Sequence, residues 1–197
     1  MYSLNRCVVF AVSCAIAAVL AQPVRAAFVM SLQQSGSDVV MTGSGTIDTT
    51  DLSYFHWTSG NPDIVPEQGI AMLSPAFGLV DVYTGASGIT AFGTGGFVTA
   101  GTSLGSSVGI YPGIVYVPMG YVSGDALAGT ETFGNATLAS LGVTLGTYTD
   151  RWGSGVHADS FVLEIGSTAA PEPAGALVLA VPLAALGLLA RRRRPLV

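Results

Sequence analysis

The chain has no lysine at all, and of its seven arginines only Arg151 lies between residues 27 and 168. That same stretch carries eleven of the twelve acids, so its formal charge is near minus ten. Nucleic acid and anionic lipid surfaces both demand clustered cations, which excludes them as partners of this region. Cysteine is equally scarce: Cys7 and Cys14 are the two present, and both fall within the first 26 residues. The remainder therefore has neither disulfide nor thiol chemistry. Histidine is limited to His56 and His157, so a zinc site would have to draw on both imidazoles plus a carboxylate. We expect no metal and no cofactor. Long uninterrupted runs are missing as well, because within residues 27–168 only Thr46 to Ser59 and Val156 to Ile165 reach ten residues without glycine or proline. Long helices have no room.

What the body does contain is glycine, serine and threonine at 57 of its 142 positions, together with fifteen aromatics and regular β-branched residues. The aromatics argue for a packed core rather than disorder. The uninterrupted pieces read as strands: Phe28 to Gln34, Asp38 to Ile47, Ile70 to Tyr83, Ile89 to Thr99, Val108 to Val117 and Asp159 to Ile165. Ser35-Gly36-Ser37 predicts a hairpin between the first two, and Phe161, Leu163 and Ile165 alternate with Val162 and Glu164 as in a half-buried strand. One short helix is predicted over Ala136 to Leu141, with Asn135 as N-cap and Gly142 closing it. The predicted fold is all-β, a jelly-roll-like antiparallel β-sandwich.

The two ends of the chain differ from the body. Arg6, the uncharged run Cys7 to Ala21, and Val24-Arg25-Ala26 form the three regions of a secretory signal peptide, with cleavage expected between Ala26 and Ala27. At the other end Pro171-Glu172-Pro173 precedes seventeen uncharged residues, Ala174 to Ala190, and then Arg191, Arg192, Arg193 and Arg194. Seventeen residues at about 1.5 Å each make a helix of roughly 25 Å, at the short end of what spans a bilayer core. Arginines after such a span stay cytoplasmic, which places the body outside the inner membrane. The expected organisation is a signal peptide (1–26), an exported domain (27–168) and a tail (169–197) holding a single transmembrane helix (174–190).

Pro171-Glu172-Pro173, the apolar helix and the arginine cluster together resemble the PEP-CTERM sorting signal of exopolysaccharide-producing Gram-negative bacteria. That resemblance implies recognition by an exosortase, a membrane transpeptidase that cuts near the motif and passes the body to the cell surface or matrix. The chain would then be a substrate, held only transiently in the inner membrane, and exopolysaccharide becomes a candidate partner. A plain single-span anchor is the alternative, though it needs neither prolines nor Glu172. The block from Thr132 to Gly166 also resembles bodies found on other proteins with this tail, which carry no assigned activity.

Candidate chemistry in the body is sparse. Ser103 and Ser107 both sit in Gly-x-Ser-x-Gly patterns, but a nucleophile elbow requires a strand-turn-helix in a parallel sheet. Gly93-Thr-Gly95-Gly96 lacks a following helix to bind phosphate. His56 lies near Asp51 and Asp63 in sequence, and His157 near Asp150 and Asp159. Asp48 with Asp51, or Asp150 with Asp159, offers oxygen donors at a spacing that fits no defined calcium loop. Tyr54, Phe55 and Trp57, and also Tyr111, Tyr116 and Tyr121, are candidate stacking faces for sugars. The sequence thus points to a non-enzymatic surface or matrix protein. A carbohydrate-binding module is the alternative, and a hydrolase using His157, Asp159 and Ser160 a weaker one, since strand neighbours 159 and 160 face opposite ways.

Overall fold

The computed structural model describes residues 27–166. The expected signal peptide with Ala26, the Pro171 to Pro173 motif, the expected helix over 174–190 and Arg191 to Arg194 all lie outside them. In chain order the strands are β1 (Ala27–Ser35), β2 (Asp38–Gly45), β3 (Ser53–Gly60), β4 (Asp63–Val65), β5 (Ile70–Leu73), β6 (Gly78–Thr84), β7 (Val98–Thr99), β8 (Thr102–Gly105), β9 (Val108–Tyr111), β10 (Ile114–Pro118), β11 (Leu127–Phe133), β12 (Gly146–Trp152) and β13 (Asp159–Ile165). Two three-residue 3-10 turns, Pro66–Gln68 and Gly155–His157, complete the regular structure of the described residues.

The strands form two sheets, so the fold is all-β. The first sheet runs β12-β13-β1-β2-β11-β8, and the second β3-β6-β10-β9-β5-β4-β7. The hairpin at Ser35-Gly36-Ser37 forms with Ser35 opposite Asp38, and Gly36 takes the positive φ of 62° that a two-residue loop requires. One pairing departs from the expected antiparallel arrangement. β1 and β13 run parallel, Ala27 opposite Ser160 through Leu32 opposite Ile165, and both are interior strands of the first sheet. The reason is connectivity: the intervening strands must be placed before the chain returns, and it returns in the direction it began.

Alternation along the strands builds the core between the sheets. Phe28, Met30 and Leu32 of β1, Val39 and Met41 of β2, and Phe161, Leu163 and Ile165 of β13 are buried against Ile64, Leu73, Ile110, Val115 and Val117 of the second sheet. The rings of Phe28 and Phe161 lie 5.2 Å apart. Gly43 leaves space for this packing, since a Cβ there would meet Leu73 Cδ1 and Phe28 Cζ at 2.6 Å.

The second sheet cannot be flat. Only Asn61 and Pro62 join β3 to β4, although these strands are five places apart in the sheet. Five strand spacings cover about 24 Å, whereas three Cα steps reach about 11 Å at most. The sheet therefore rolls until its two ends approach, and Ser74 Oγ at the end of β5 donates to the Gly60 carbonyl at the end of β3, 3.4 Å away. Rolling explains a second buried set. Val80, Val82 and Met72 are 0%, 2% and 5% exposed yet stand apart from the core shared with the first sheet. They share a face with Tyr116 and Asp63, as the pairings Tyr116 with Val82 and Asp63 with Met72 require.

Several expectations are corrected. The predicted helix at Ala136 to Leu141 is absent: Asn135 is left-handed (φ 51°), and its N–H donates to Asp38 Oδ1 at 2.9 Å. Thr137 and Ser140 instead cap each other, Ser140 N donating to Thr137 Oγ1 at 3.0 Å and Thr137 N to Ser140 Oγ at 2.8 Å. That leaves one turn, too short to propagate, though Gly142 does close it with φ 66°. Ile70 to Tyr83 breaks into β5 and β6 around Pro75, whose ring has no N–H for a ladder. Ile89 to Thr99 is mostly irregular because the amides of Thr94 and Gly95 both donate to the Gly142 carbonyl, at 2.8 and 3.1 Å. Truncating Phe28 to alanine removes a fully buried ring from the inter-sheet core, and chemical denaturation should show a loss of about 3–5 kcal/mol.

Candidate functional site

Two regions of the body gather polar or aromatic side chains. The first is the loop between β2 and β3, which folds against the start of β13. Asp159 is 5% exposed, and its Oδ2 accepts from Asp48 N at 2.6 Å while its Oδ1 accepts from Ser160 N at 2.7 Å. Trp152 Nε1 donates to the Asp48 carbonyl at 2.7 Å. Held in this way, the Asp48 carboxylate projects to the surface, where Oδ1 accepts from Thr50 N and Ser123 Oγ, both at 2.9 Å. Its Oδ2 meets His157 Nδ1 at 2.9 Å. Thr50 above all, with His157 and Ser123, holds the Asp48 carboxyl well below the usual range. The same contact with Asp48 raises His157, and burial raises Asp159.

This geometry reassigns the residues grouped by sequence proximity. His157 pairs with Asp48, not with Asp150 or Asp159, and both Asp159 oxygens accept backbone donors. A His157–Asp159–Ser160 arrangement is therefore not assembled. Asp150 is fully buried and accepts from Ile89 N at 2.7 Å, which anchors the loop after β6. Asp51 Oδ2 accepts from Ser154 N at 3.1 Å. No group of three or more histidine, cysteine, aspartate or glutamate side chains is placed to hold a metal among the described residues.

Ser103 and Ser107, the centres of the two Gly-x-Ser-x-Gly patterns, stand on or beside strands rather than at a strand-to-helix turn, Ser103 reaching the buried Glu131 and Ser107 reaching Ser74 beside it. Glu131 on β11 is 1% exposed, and its Oε1 accepts from Ser74 N at 2.7 Å and Ser103 Oγ at 3.0 Å. Ser74 Oγ lies 2.9 Å from Ser107 Oγ. Oε2 of Glu131 is buried without a hydrogen-bond partner. Burial pushes the Glu131 carboxyl up to about 8, and burial likewise pushes Asp63 up to about 6. Sequence reading missed this acid and its strand, and the signal that could have found them is the alternation of Leu127, Gly129, Glu131 and Phe133, which puts Glu131 at a core position of β11.

The second region is β3, at one edge of the second sheet. Tyr54, Phe55 and Trp57 are 56%, 67% and 60% exposed. A bulge at Phe55 changes which rings go together. Strict alternation would place Tyr54 with His56, but the register sets Tyr54 opposite Tyr83 and Trp57 opposite Asp81, so Tyr54 and Trp57 share a face. Tyr54 meets Tyr83 edge-on at 5.7 Å, and Phe55 meets the exposed His56 edge-on at 4.5 Å. The other candidates serve the fold instead. Tyr121 OH accepts from Ile47 N and donates to the Asp125 carbonyl at 2.7 Å, and Tyr116 is half-buried inside the rolled sheet. Tyr111 is partly exposed on β9, beside the turn to β10.

A shallow groove of about 300 Å³ crosses the outer face of the first sheet, lined by Ser31, Gln33, Thr42, Ser44 and Glu164. It carries hydroxyls but no ring.

Replacing Asp48 by asparagine should lower stability by an amount that depends on pH. The depressed Asp48 stabilises above its unfolded value of 3.8 and loses that contribution as pH falls further, whereas the raised His157 stabilises below 6.5 and loses it as pH rises through its folded value. Melting curves from pH 2 to 9 should therefore show the variant's deficit largest near pH 5 and smaller at each extreme. No family model, curated protein or solved structure matches the chain.

Proposed function

We propose that this chain is an exported, non-enzymatic surface or matrix protein, sorted by an exosortase through its C-terminal tail. In this reading residues 1–26 direct export, and cleavage falls between Ala26 and Ala27. Residues 27–168 form a jelly-roll-like sandwich, and the 174–190 helix with Arg191 to Arg194 detains the precursor in the inner membrane until Pro171-Glu172-Pro173 is processed. The tail supports the sorting half of the proposal. The observation that supports a non-enzymatic body is the use of its acids: Asp38, Asp48, Asp51, Asp81, Glu131, Asp150 and Asp159 each accept from a backbone N–H of the domain itself. Groups with the chemistry to act as acid, base or metal ligand hold loops in place.

A second reading, carbohydrate binding, is favoured by the aromatic face of β3. Two exposed rings on one face of an edge strand offer apolar surface to the C–H faces of a sugar, and a body with one arginine suits a neutral rather than an anionic glycan. Exopolysaccharide is the partner this reading suggests.

Deleting residues 171–194 should shift the protein from the cell surface to the periplasm or medium in fractionation, and unchanged surface display would refute the sorting proposal. Trp57→Ala with Tyr54→Ala should abolish retention on a neutral-glycan affinity gel while leaving the melting temperature within a few degrees. If wild-type protein is not retained either, the carbohydrate reading fails and the sorting proposal stands independently.

A further inference from the structure

Glu131 combines three properties that seldom coincide. It is almost fully buried, one of its carboxyl oxygens has no partner, and it links elements of different sheets. Through Oε1 it joins β11 of the first sheet to Ser74, which follows β5 of the second, and to Ser103 on the edge strand β8. Its cross-strand neighbours are Met41 on β2 and Ser103. None of these brings a positive charge. The one titratable group that acts on it is Asp63 on β4, a like charge. The described residues include no lysine and one arginine, Arg151, which is exposed on β12, so among them no lysine or arginine compensates this carboxylate.

We propose that Glu131 is a proton-held latch: protonated, it lets β8 and the β5–β6 turn close over it, and ionised, it draws in water by releasing β8 from β11. β8 is the element that yields because it has only four residues, pairs along one side only, and exposes Leu104 at 72%. A buried carboxylate oxygen without a donor is costly in proportion to its charge, and hydrating it needs only the nearest edge to move.

The sign follows from linkage. Folding raises the carboxyl from 4.5 to about 8, so the folded state keeps a proton that the unfolded chain has lost. The contribution of Glu131 to stability is greatest below 4.5 and declines as pH rises to about 8. Asp63 acts in the same sense between 3.8 and about 6.

The test uses the full-length protein, digested with subtilisin at pH 6 and pH 9, with cuts within residues 101–107 quantified by mass spectrometry. Wild-type cleavage there should increase at least about tenfold across this interval, since one unit of carboxyl shift corresponds to a factor of ten. Glu131→Gln should remove most of the increase, the same protease batch controlling for intrinsic activity at each pH. Equal increases in the two proteins would overturn the latch. Should Glu131→Gln not fold at pH 6, Asp63→Asn decides: removal of the like charge should move the wild-type cleavage midpoint to lower pH, and no movement of the midpoint contradicts the proposal. Suppression of alkaline cleavage by millimolar calcium would also overturn it, since the carboxylates would then hold a cation rather than a proton.

Discussion

The hydrogen bond from a backbone amide to a carboxylate is the interaction on which this body depends. Asp159 positions the β2–β3 loop, Asp150 the loop after β6, Glu131 the β5–β6 turn, and Asp38 the turn after β11. Each contact closes a long sequence separation with one hydrogen bond. Three of these carboxyls are buried deeply enough that burial outweighs the donors they accept, and their proton affinities rise. Asp48, near the surface and with more donors, goes the other way. An acidic composition without bases is thus less an electrostatic signature for a partner than a structural device. A domain poor in lysine fastens its loops from within.

How much of this was legible in the sequence depended on where the physical signal resides. β1 and β13 announced themselves through clean alternation, and Asp159 to Ile165 has the bounds read from the residues. Strands rich in glycine and threonine did not: β8, with Thr102-Ser-Leu-Gly105, and β12 have too few apolar residues to show a period. They are strands because their neighbours need partners. The expected helix failed for the opposite reason. Its local propensities were sound, but Gln34 reached across from β1, accepting from Leu138 N and donating to the Ala136 carbonyl, and the turn fitted to the sheet instead.

The candidate sites divide in the same way. Exposed aromatics around His56 were visible as a cluster, yet the bulge that puts Tyr54 beside Trp57 is a property of register. Residues adjacent in sequence, His157 and Asp159, suggested a partnership that the fold does not form, because the true partner, Asp48, lies 109 positions away. His157 ends a 3-10 turn, Gly155–His157, just before the strand that begins at Asp159. Glu131 was overlooked for another reason: its alternation with Leu127 and Phe133 is interrupted by Gly129, which hides the strand, although a single acid at a core position carries more information than many on the surface.

The parallel pairing of β1 with β13 also sets a timetable. The first strand of the body has its two neighbours only after the last has been made, so the central ladder of the first sheet closes at the end of synthesis rather than progressively. Contacts between residues so distant in sequence are slow to form. Until then Phe28, Met30 and Leu32 have one flank open. Loss of β13 would remove an interior strand rather than an edge, cutting β12 off from β1 and the rest of the sheet.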